Sequence, residues 1–244
     1  KTQDYVASVL QAIESGSMPG VVRCIEEDGL SVKTIVEIND TRRSLLHLAA
    51  NFPNTAIVQY LIHRGAKVNL KDSDGWRPLH VAGHAGHLDV MKVLLENGAR
   101  VGKTTNNGTL ALHYISAHRF PNVGSLLSEV METLCKGSLV NVRNQQRETP
   151  LHYLAQGQQD PAVCLKLLMC GADPNCKNAR GITPLAIVAS RPTPHAVIIA
   201  RFLVERGAKI TKKLIEQTSD EKVRDFLRKE LQSNIPLLGS KICG

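Results

Sequence analysis

The stretch Thr149-Pro-Leu-His-Tyr-Leu-Ala155 has counterparts in four other parts of the 244-residue chain. One leucine aligns in all five segments, and a glycine followed by a small residue comes after each of these leucines. The steps between successive leucines are thirty-three, thirty-three, thirty-nine and thirty-four positions, and each of the first four glycines lies fourteen positions before the next leucine. This period indicates a repeat architecture whose variable part lies between leucine and glycine. The aligned leucines are Leu46, Leu79, Leu112, Leu151 and Leu185, and the marker glycines are Gly65, Gly98, Gly137, Gly171 and Gly207.

The segment between each leucine and its glycine predicts two short antiparallel helices. Thr149-Pro150 and Thr183-Pro184 combine an N-cap hydroxyl with proline at the first helical position. Apolar residues at three-to-four spacing continue into the second helix, and the marker glycine suits a left-handed cap at its end. The constant span from glycine to leucine predicts a connection that sets how one repeat stacks on the next, because a change in its length would break the register.

This combination of motif, marker and period resembles the ankyrin repeat over about residues 40–211. The resemblance implies an all-α fold, a solenoid of stacked helix-turn-helix units with short β-turn or hairpin connections. Weaker half-repeats at both ends are typical of polar caps that keep a solenoid soluble, and Ser219 is the expected N-cap of the last helix. We expect an N-terminal capping helix pair in residues 1–40, repeats in 41–73, 74–106, 107–145, 146–179 and 180–211 (together 41–211), C-terminal capping helices in 212–231, and a linker or tail in 232–244.

The composition excludes several other classes of protein. Apolar residues make up 43% of the chain, which is enough for a continuous core, and no stretch approaches the roughly 18 uninterrupted apolar residues that span a bilayer. The six cysteines form no CxxC pair, which favours reduced thiols in an intracellular protein. We expect a cytoplasmic rather than nuclear protein. Because the chain starts at Lys1, we also expect it to be a piece of a longer one.

Four histidines occupy the fourth position of the repeated motif. In the ankyrin family this histidine is structural and hydrogen-bonded locally around the turn, and the resemblance implies the same role here. Arg77 and Leu110 replace the usual threonine in two of the motifs, which removes a hydroxyl partner of the ring. The four histidines are His47, His80, His113 and His152.

His80, His84 and His87 also have the spacing of zinc ligands on one helix. His87, however, occupies a common Gly-His position of the ankyrin repeat, in the loop after the first helix, so we expect no metal site. The chain carries no GxSxG elbow, no P-loop, no GxGxxG and no kinase motif. We therefore expect this segment to have no enzymatic activity, no cofactor and no small-molecule substrate.

The resemblance implies that a partner binds to the turn tips and to the exposed side of the first helices, which form a concave face. Most charged residues at the expected tips are basic, and the chain has a formal net charge of +8. A basic rim favours an acidic, partly apolar protein or peptide as the partner, and would mainly raise the association rate. The candidate partner-binding residues are Arg43, Lys71, Asp74, Trp76, His84, Lys103, Thr109, His118, Phe120, Arg143, Glu148, Lys177, Arg180 and Ile182.

Two of these candidates each fit two interpretations. Trp76 is the only tryptophan and follows Gly75 in a predicted turn; it either packs against a neighbouring turn or Arg77, or is an exposed aromatic anchor for a partner. The six extra residues of the longest repeat fall near residues 118–124. They form either a contact loop that exposes Phe120 or an extended helix pair that only packs.

The leading hypothesis is a non-catalytic protein-protein interaction module. It would be a monomeric domain that acts as a scaffold, targeting or autoregulatory part of a larger intracellular signalling or regulatory protein. The alternative is that the basic edge binds nucleic acid or an anionic membrane. Against this alternative, aromatic residues do not alternate with the basic ones as single-strand platforms require, and no basic amphipathic helix dominates the sequence.

Overall fold

The computed structural model describes residues 2–38, 40–120 and 124–233, with side chains from residue 5 onward. Within these ranges the chain forms two compact units. One comprises residues 2–115 and 124–145, and the other comprises residues 116–120 and 146–233. The described residues contain fourteen α-helices, one 3₁₀ helix and one two-stranded sheet, which is the all-α class that the sequence predicts. None of the described helices is long and apolar enough to cross a membrane.

The first unit begins with two packed helices, α1 (Thr2–Glu14) and α2 (Met18–Glu26). Ser17 caps α2, because its hydroxyl oxygen accepts a hydrogen bond from the amide of Gly20 at 3.2 Å. The apolar side of this pair is buried, with Val9 and Val21 fully inaccessible to solvent. The predicted N-terminal helix pair is therefore present.

An antiparallel hairpin follows these helices and consists of β1 (Ile35–Ile38) and β2 (Thr41–Ser44). The β-branched residues of β1 favour the extended backbone of a strand. Residues 1–40 thus hold a strand in addition to the predicted helix pair. The hairpin accounts for the long step from Gly29 to Leu46, which exceeds the constant step between a marker glycine and the next leucine by three positions.

Three helix pairs complete the first unit. The pairs are α3 (Leu45–Ala49) with α4 (Thr55–His63), α5 (Pro78–Ala85) with α6 (Leu88–Glu96), and α7 (Ala111–Ser116) with α8 (Gly124–Leu134), which a 3₁₀ helix (Gly137–Asn141) follows. The last residue of α7 belongs to the second unit. First helices pack on first helices, as α3 does on α5, and second helices pack on second helices, as α4 does on α6 and α6 on α8.

Of the six extra residues of the third pair, three precede its second helix, two lengthen that helix and one lies between that helix and Gly137. Counted from the start of the first helix, the second helix begins three positions later in this pair than in the two pairs before it. Helix α8 has 11 residues, whereas α4 and α6 have nine. Both interpretations of the insertion therefore account for part of it. Residues 121–123 of the predicted contact loop lie outside the described residues.

The second unit contains two further helix pairs and two terminal helices. Pro150 and Pro184 begin α9 and α11, as the sequence predicts, and the hydroxyl oxygen of Thr183 accepts a hydrogen bond from the amide of Ala186 at 3.3 Å. Helix α9 packs on α10 and α11, and α12 packs on α10 and α14. The helices are α9 (Pro150–Gln156), α10 (Pro161–Met169), α11 (Pro184–Ser190), α12 (Ala196–Glu205), α13 (Lys212–Gln217) and α14 (Glu221–Ser233).

The last helix differs from the sequence-based prediction at both ends. Asp220, not Ser219, caps α14, because its Oδ1 atom accepts a hydrogen bond from the amide of Val223 at 3.1 Å. The hydroxyl of Ser219 instead donates to the carbonyl oxygen of Ala189. Residues 232 and 233 belong to α14 rather than to a tail, and the remainder of the predicted tail, residues 234–244, lies outside the described residues.

The repeated leucines, and four of the five repeated glycines, have the roles that their spacing predicts. All five aligned leucines are at most 3% exposed, and full burial of such a side chain contributes about 1.5–3 kcal/mol. All five marker glycines have φ between +65° and +93°, the left-handed region that only glycine adopts at low cost. Four of them lie two positions after the last residue of a helix, as predicted, whereas Gly137 lies three positions after α8 and begins the 3₁₀ helix. None of the cysteines within the described residues forms a disulfide: Cys24, Cys135, Cys164 and Cys176 are buried and Cys170 is half-buried.

Candidate protein-binding surface

Each helix pair is joined to the next through a tight turn, and three of these turns close in the same way. We call residues 72–76, 105–109 and 178–182 the tip turns. In each, the amide of the first residue donates to the carbonyl oxygen of the last residue, at 2.8, 3.0 and 3.0 Å respectively. The first residue is polar and buried in all three, as Asp72, Thr105 and Asn178. A buried polar side chain at the base therefore holds each exposed tip.

The polar side chains at the base also bond to the turn itself. The Oδ1 atom of Asp72 accepts hydrogen bonds from the amides of Asp74 and Trp76 at 3.0 and 2.7 Å. Asn178 repeats the pattern in the second unit, where its Oδ1 atom accepts from the amides of Arg180 and Ile182, both at 3.0 Å. Because these bonds fix the turn backbone, residues at the tips are held in one conformation before any partner binds.

Neighbouring connections within a unit are joined through their main chains. In the first unit, the amide of Asn106 donates to the carbonyl oxygen of Asp74 at 2.9 Å, and its side chain donates to the carbonyl oxygen of Ser73 at 3.0 Å. In the second unit, the amide of Ala179 donates to the carbonyl oxygen of Gln146 at 2.8 Å. Main-chain hydrogen bonds therefore join the two tip turns of the first unit to each other, and the tip turn of the second unit to the connection that precedes α9.

Most of the predicted tip residues with charge are accessible to a partner. Lys71, Asp74, Lys103 and Arg143 are exposed in the first unit, and Lys177 and Arg180 are exposed in the second. Arg43 differs from these. Its Nε atom lies 3.3 Å from Oδ2 of Asp72, whose side chain is completely buried. The charge of Arg43 thus neutralises a buried carboxylate and is less available to a partner than the other tip cations, and its role as a contact residue stays a prediction.

Trp76 lies in a cluster of aromatic rings that the sequence did not reveal. Its ring centroid is 4.6 Å from that of Tyr114 and 5.4 Å from that of His84, and the His84 and Tyr114 rings are 5.6 Å apart. Trp76 and Tyr114 are half-buried, whereas His84 is exposed. Trp76 therefore packs against its neighbours and still presents part of its surface. Tyr114 was missed; its signal in the sequence is an aromatic residue two positions after an aligned leucine.

Several predicted contact residues are less accessible than expected. Thr109 is 2% exposed and lies at the closed end of a tip turn, so its assignment to the partner-binding set is wrong. Phe120 is half-buried rather than exposed, and its amide donates to Oδ2 of Asp160 at 2.6 Å. His118 is also half-buried, with its ring centroid 6.2 Å from that of Phe120. Glu148 is half-buried and accepts a hydrogen bond from the Gln156 side chain at 2.6 Å.

The four motif histidines are structural, as predicted. The Nδ1 atom of His80 accepts from the amide of Arg77 at 3.0 Å, so Nε2 carries the hydrogen and donates to the carbonyl oxygen of Lys103 at 2.8 Å. All four rings accept such a backbone amide at Nδ1, and the hydroxyls of Ser44 and Thr149 lie in addition 2.7 and 2.9 Å from the Nδ1 atoms of His47 and His152. Burial lowers the pKa of His47, and it lowers the pKa of His80 to about 4. The equivalent Nε2 contacts join His47 to Trp76, His113 to Val142 and His152 to Ile182, each at 3.1 Å.

The three histidines with zinc-like spacing have separate partners. His80 donates to the main chain of Lys103, the Nε2 atom of His87 lies 3.1 Å from the carbonyl oxygen of Asn51, and His84 packs against Trp76. No group of three or more histidine, cysteine or carboxylate side chains suited to a metal ion occurs within the described ranges. These rings therefore stabilise separate contacts rather than facing a common centre.

Two open grooves lie beside the tip turn of the second unit. The first, of about 320 Å³, is bordered by Gln146, Glu148 and Arg180, and the second, of about 660 Å³, by Arg180, Ile182 and Lys213. Ile182 is half-buried and borders both grooves. The predicted contacts Arg180 and Ile182 thus lie at the rim of concave surface.

Comparisons with known proteins agree with this architecture. A family model described as ankyrin repeats (3 copies) matches residues 11–105 and 46–144, and a single ankyrin repeat matches residues 146–179. The chain is 26% identical over 227 residues to ankyrin repeat protein nuc-2 of Neurospora crassa, covering 82% of this chain and 21% of that protein. It is 29% identical over 157 residues to the nuclear factor NF-kappa-B p105 subunit of Gallus gallus, and this match covers 63% of this chain and 15% of that protein.

A shorter segment of the chain is 51% identical over 41 residues to protein phosphatase 1 regulatory subunit 12A of Mus musculus. This match covers 17% of this chain and 4% of that protein. The chain therefore spans about a fifth or less of the length of these relatives. The family models cover more than half of the chain, and their repeats coincide with helix pairs and turns seen in the structure. On this evidence the chain belongs to the ankyrin-repeat family.

Proposed function

We propose that this chain is a non-catalytic module that binds a protein partner through its tip turns and the exposed side of its first helices. Ankyrin repeats are generally protein-protein interaction modules, and one relative is by name a regulatory subunit. The module would act as a scaffold, targeting or autoregulatory segment of a larger intracellular regulatory protein. The partner would be acidic and partly apolar.

The observation that carries this proposal is the fixed conformation of the tips. Asp72 and Asn178 each hold a turn with two side-chain-to-amide hydrogen bonds, while Lys71, Lys103 and Lys177 remain exposed. A surface that is ordered before binding loses little conformational entropy on binding. Exposed cations on such a surface attract an acidic partner and raise the rate of encounter.

The Trp76 cluster supplies the apolar part of the surface. Half-buried Trp76 and Tyr114 are held by their mutual contact, and exposed His84 packs against both rings. Rigid aromatic groups of this kind are frequent anchors in protein interfaces. The contact between Trp76 and Tyr114 also covers ring area that a nucleic-acid base would need for stacking, which favours a protein over single-stranded nucleic acid.

Affinity capture with paired variants tests the proposal. The immobilised chain would be exposed to cell extract beside the Lys71→Glu/Lys103→Glu variant and a control, Lys222→Glu/Lys229→Glu, which reverses two exposed lysines of α14. We expect quantitative mass spectrometry to identify a protein that the wild type and the control capture and the tip variant does not. Its capture should persist after the extract is treated with nuclease. Equal capture by all three chains, or loss of the captured protein after nuclease treatment, would contradict the proposal. Thermal unfolding of each chain checks that the fold is unchanged.

A further inference from the structure

The larger groove of the second unit has an unusual distribution of charge. It has a volume of about 660 Å³ and lies between α11, α13 and the connection that joins α12 to α13. Four basic residues, Lys177, Arg180, Lys209 and Lys213, border it, and no carboxylate does so among the residues that the structure describes. The whole chain has 22 acidic residues against 30 basic ones, so a groove with four cations and no acid is a local concentration of positive charge.

The four cations are free of the ion pairs that neutralise charge elsewhere in the chain. Lys177, Arg180, Lys209 and Lys213 are exposed, and within the described ranges no carboxylate lies within ion-pairing distance of them. Arg43 shows the contrast, since its guanidinium is paired with buried Asp72. The positive charge of the groove is therefore available to an anionic ligand.

Hydrogen bonds fix the backbone around these cations. The side chain of Asn175 donates to the carbonyl oxygen of Gly207 at 2.8 Å and accepts from the amide of Lys209 at 2.9 Å, which ties Lys209 to the wall that carries Lys177. Asn178 holds the amide of Arg180. The hydroxyl oxygen of Thr211 accepts from the amide of Leu214 at 3.1 Å, which fixes the turn of α13 on which Lys213 lies. The groove is consequently ordered without a ligand.

The groove also has an apolar wall, which decides the class of ligand. Ile182, Ala186 and Leu214 border it and are half-buried, and no aromatic side chain does so in the described part of the chain. A nucleic acid would gain no base stacking here, whereas a peptide could place an apolar side chain against Ile182 and Leu214 while its carboxylates meet the cations.

We propose that this cationic groove binds an acidic peptide segment of a partner protein, in which carboxylates flank an apolar side chain. This inference rests on the proposed function and adds α13, the first of the two terminal helices, to the binding surface. Lys209, Lys213 and Leu214 thereby become contact residues, none of which the repeated motif indicates.

Fluorescence anisotropy with a defined probe tests the groove directly. The probe is a fluorescein-labelled peptide with two glutamates on each side of a leucine, compared with a peptide that carries glutamines instead. We expect the glutamate peptide alone to bind, and Lys209→Glu/Lys213→Glu to weaken it at least about tenfold. The milder Lys209→Gln/Lys213→Gln variant should weaken it as well, and serves if charge reversal disturbs folding. The Lys222→Glu/Lys229→Glu control should change affinity less than about twofold, since these lysines do not border the groove.

Three results would overturn the groove assignment. The first is equal binding of the two peptides, and the second is unchanged affinity for the glutamate peptide in both groove variants. The third is that single-stranded DNA or phosphatidylserine vesicles bind more tightly than the glutamate peptide and that the groove variants abolish this binding. Each failure is separable from failure of the proposed function. If the peptide does not bind but capture of the partner still depends on Lys71 and Lys103, only the groove proposal is contradicted. Peptide binding without any tip-dependent capture contradicts only the proposed function.

Discussion

The Nε2 atom of His80 lies 2.8 Å from the carbonyl oxygen of Lys103, 23 residues further along the chain. His80 lies in the first turn of α5, and Lys103 lies in the connection that leads to the next helix pair. The same ring accepts a hydrogen bond from the amide of Arg77 through Nδ1. One neutral imidazole thus fixes the start of a helix and ties it to the following connection.

This arrangement predicts a loss of stability in acid. Burial lowers the pKa of His80 from 6.5 to about 4 in the folded chain. As the pH falls below about 6.5, the His80 side chain takes up a proton in the unfolded chain but not in the folded chain. The free energy of unfolding therefore falls between about pH 6.5 and about pH 4, by up to about 1.4 kcal/mol per pH unit. Denaturant unfolding between pH 7.5 and 4.5 should show the free-energy gap between wild type and His80→Gln narrowing in acid. The same substitution at exposed His63 is the control, and an equal pH profile for both variants would contradict the assignment.

The buried carboxylate of Asp72 should stabilise the first tip turn. Asp72→Ala removes the acceptor for two amides and leaves Arg43 unpaired, so we expect a loss of about 2–3 kcal/mol in the free energy of unfolding. Asp72→Asn should lose less, about 1 kcal/mol, because Asn178 forms the same amide contacts in its own turn. Asp74→Ala changes an exposed carboxylate and should stay within about 0.5 kcal/mol of wild type. Equal losses for Asp72→Ala and Asp74→Ala in denaturant unfolding would show that the base carboxylate does not hold the turn.

Arg147 occupies a backbone conformation that three other repeats give to glycine. Its φ is +57°, and the equivalent residues are Gly75, Gly108 and Gly181, with φ of +80°, +76° and +75°. A side chain in the left-handed region is strained, and removal of that strain exceeds the entropy that glycine adds to the unfolded chain. Arg147→Gly should therefore raise the free energy of unfolding by about 0.5–1 kcal/mol. The control is Arg180→Gly, which removes an exposed arginine with negative φ and should not raise the free energy of unfolding. A lower free energy of unfolding in Arg147→Gly would show that the Arg147 backbone is not strained.

The contact between Trp76 and Tyr114 should be measurable as a coupling energy. Rings with centroids 4.6 Å apart contribute about 0.5–1.5 kcal/mol beyond the area they bury. A double-mutant cycle with Trp76→Ala and Tyr114→Ala should give a coupling in that range. The cycle of Trp76→Ala with Tyr60→Ala is the control, because Tyr60 bonds to Glu26 and Arg64 instead. Additive losses in the first cycle would mean that the two rings do not support each other.

Sequence spacing predicted those features that recur at fixed intervals. Leu151 lies in the core, Gly171 ends a helix with positive φ, Pro150 begins a helix, and His152 bonds between neighbouring repeats, all as the motif indicates. These positions obey one physical rule in each repeat, so five copies of the pattern reinforce one another.

The features that the sequence did not reveal depend on pairs of residues that lie far apart in the sequence or that meet only when the turns close. The Arg43 contact to Asp72 and the Trp76 contact to Tyr114 join positions whose residue types change from repeat to repeat, so periodicity carries no signal for them. The burial of Thr109 follows from the closed tip turn, in which its carbonyl oxygen accepts from Thr105. The cationic groove required the placement of Lys209 and Lys213 beside Lys177, which no linear motif encodes.

Lysine-specific cross-linking of the chain to its captured partner, read out by mass spectrometry, tests the central claim most directly. The chain has exposed lysines at the tips, Lys71, Lys103 and Lys177, and others on α14, Lys222 and Lys229. Binding through the tips and first helices predicts partner cross-links at the tip lysines and none at the α14 lysines. Partner cross-links confined to Lys222 and Lys229 would contradict it.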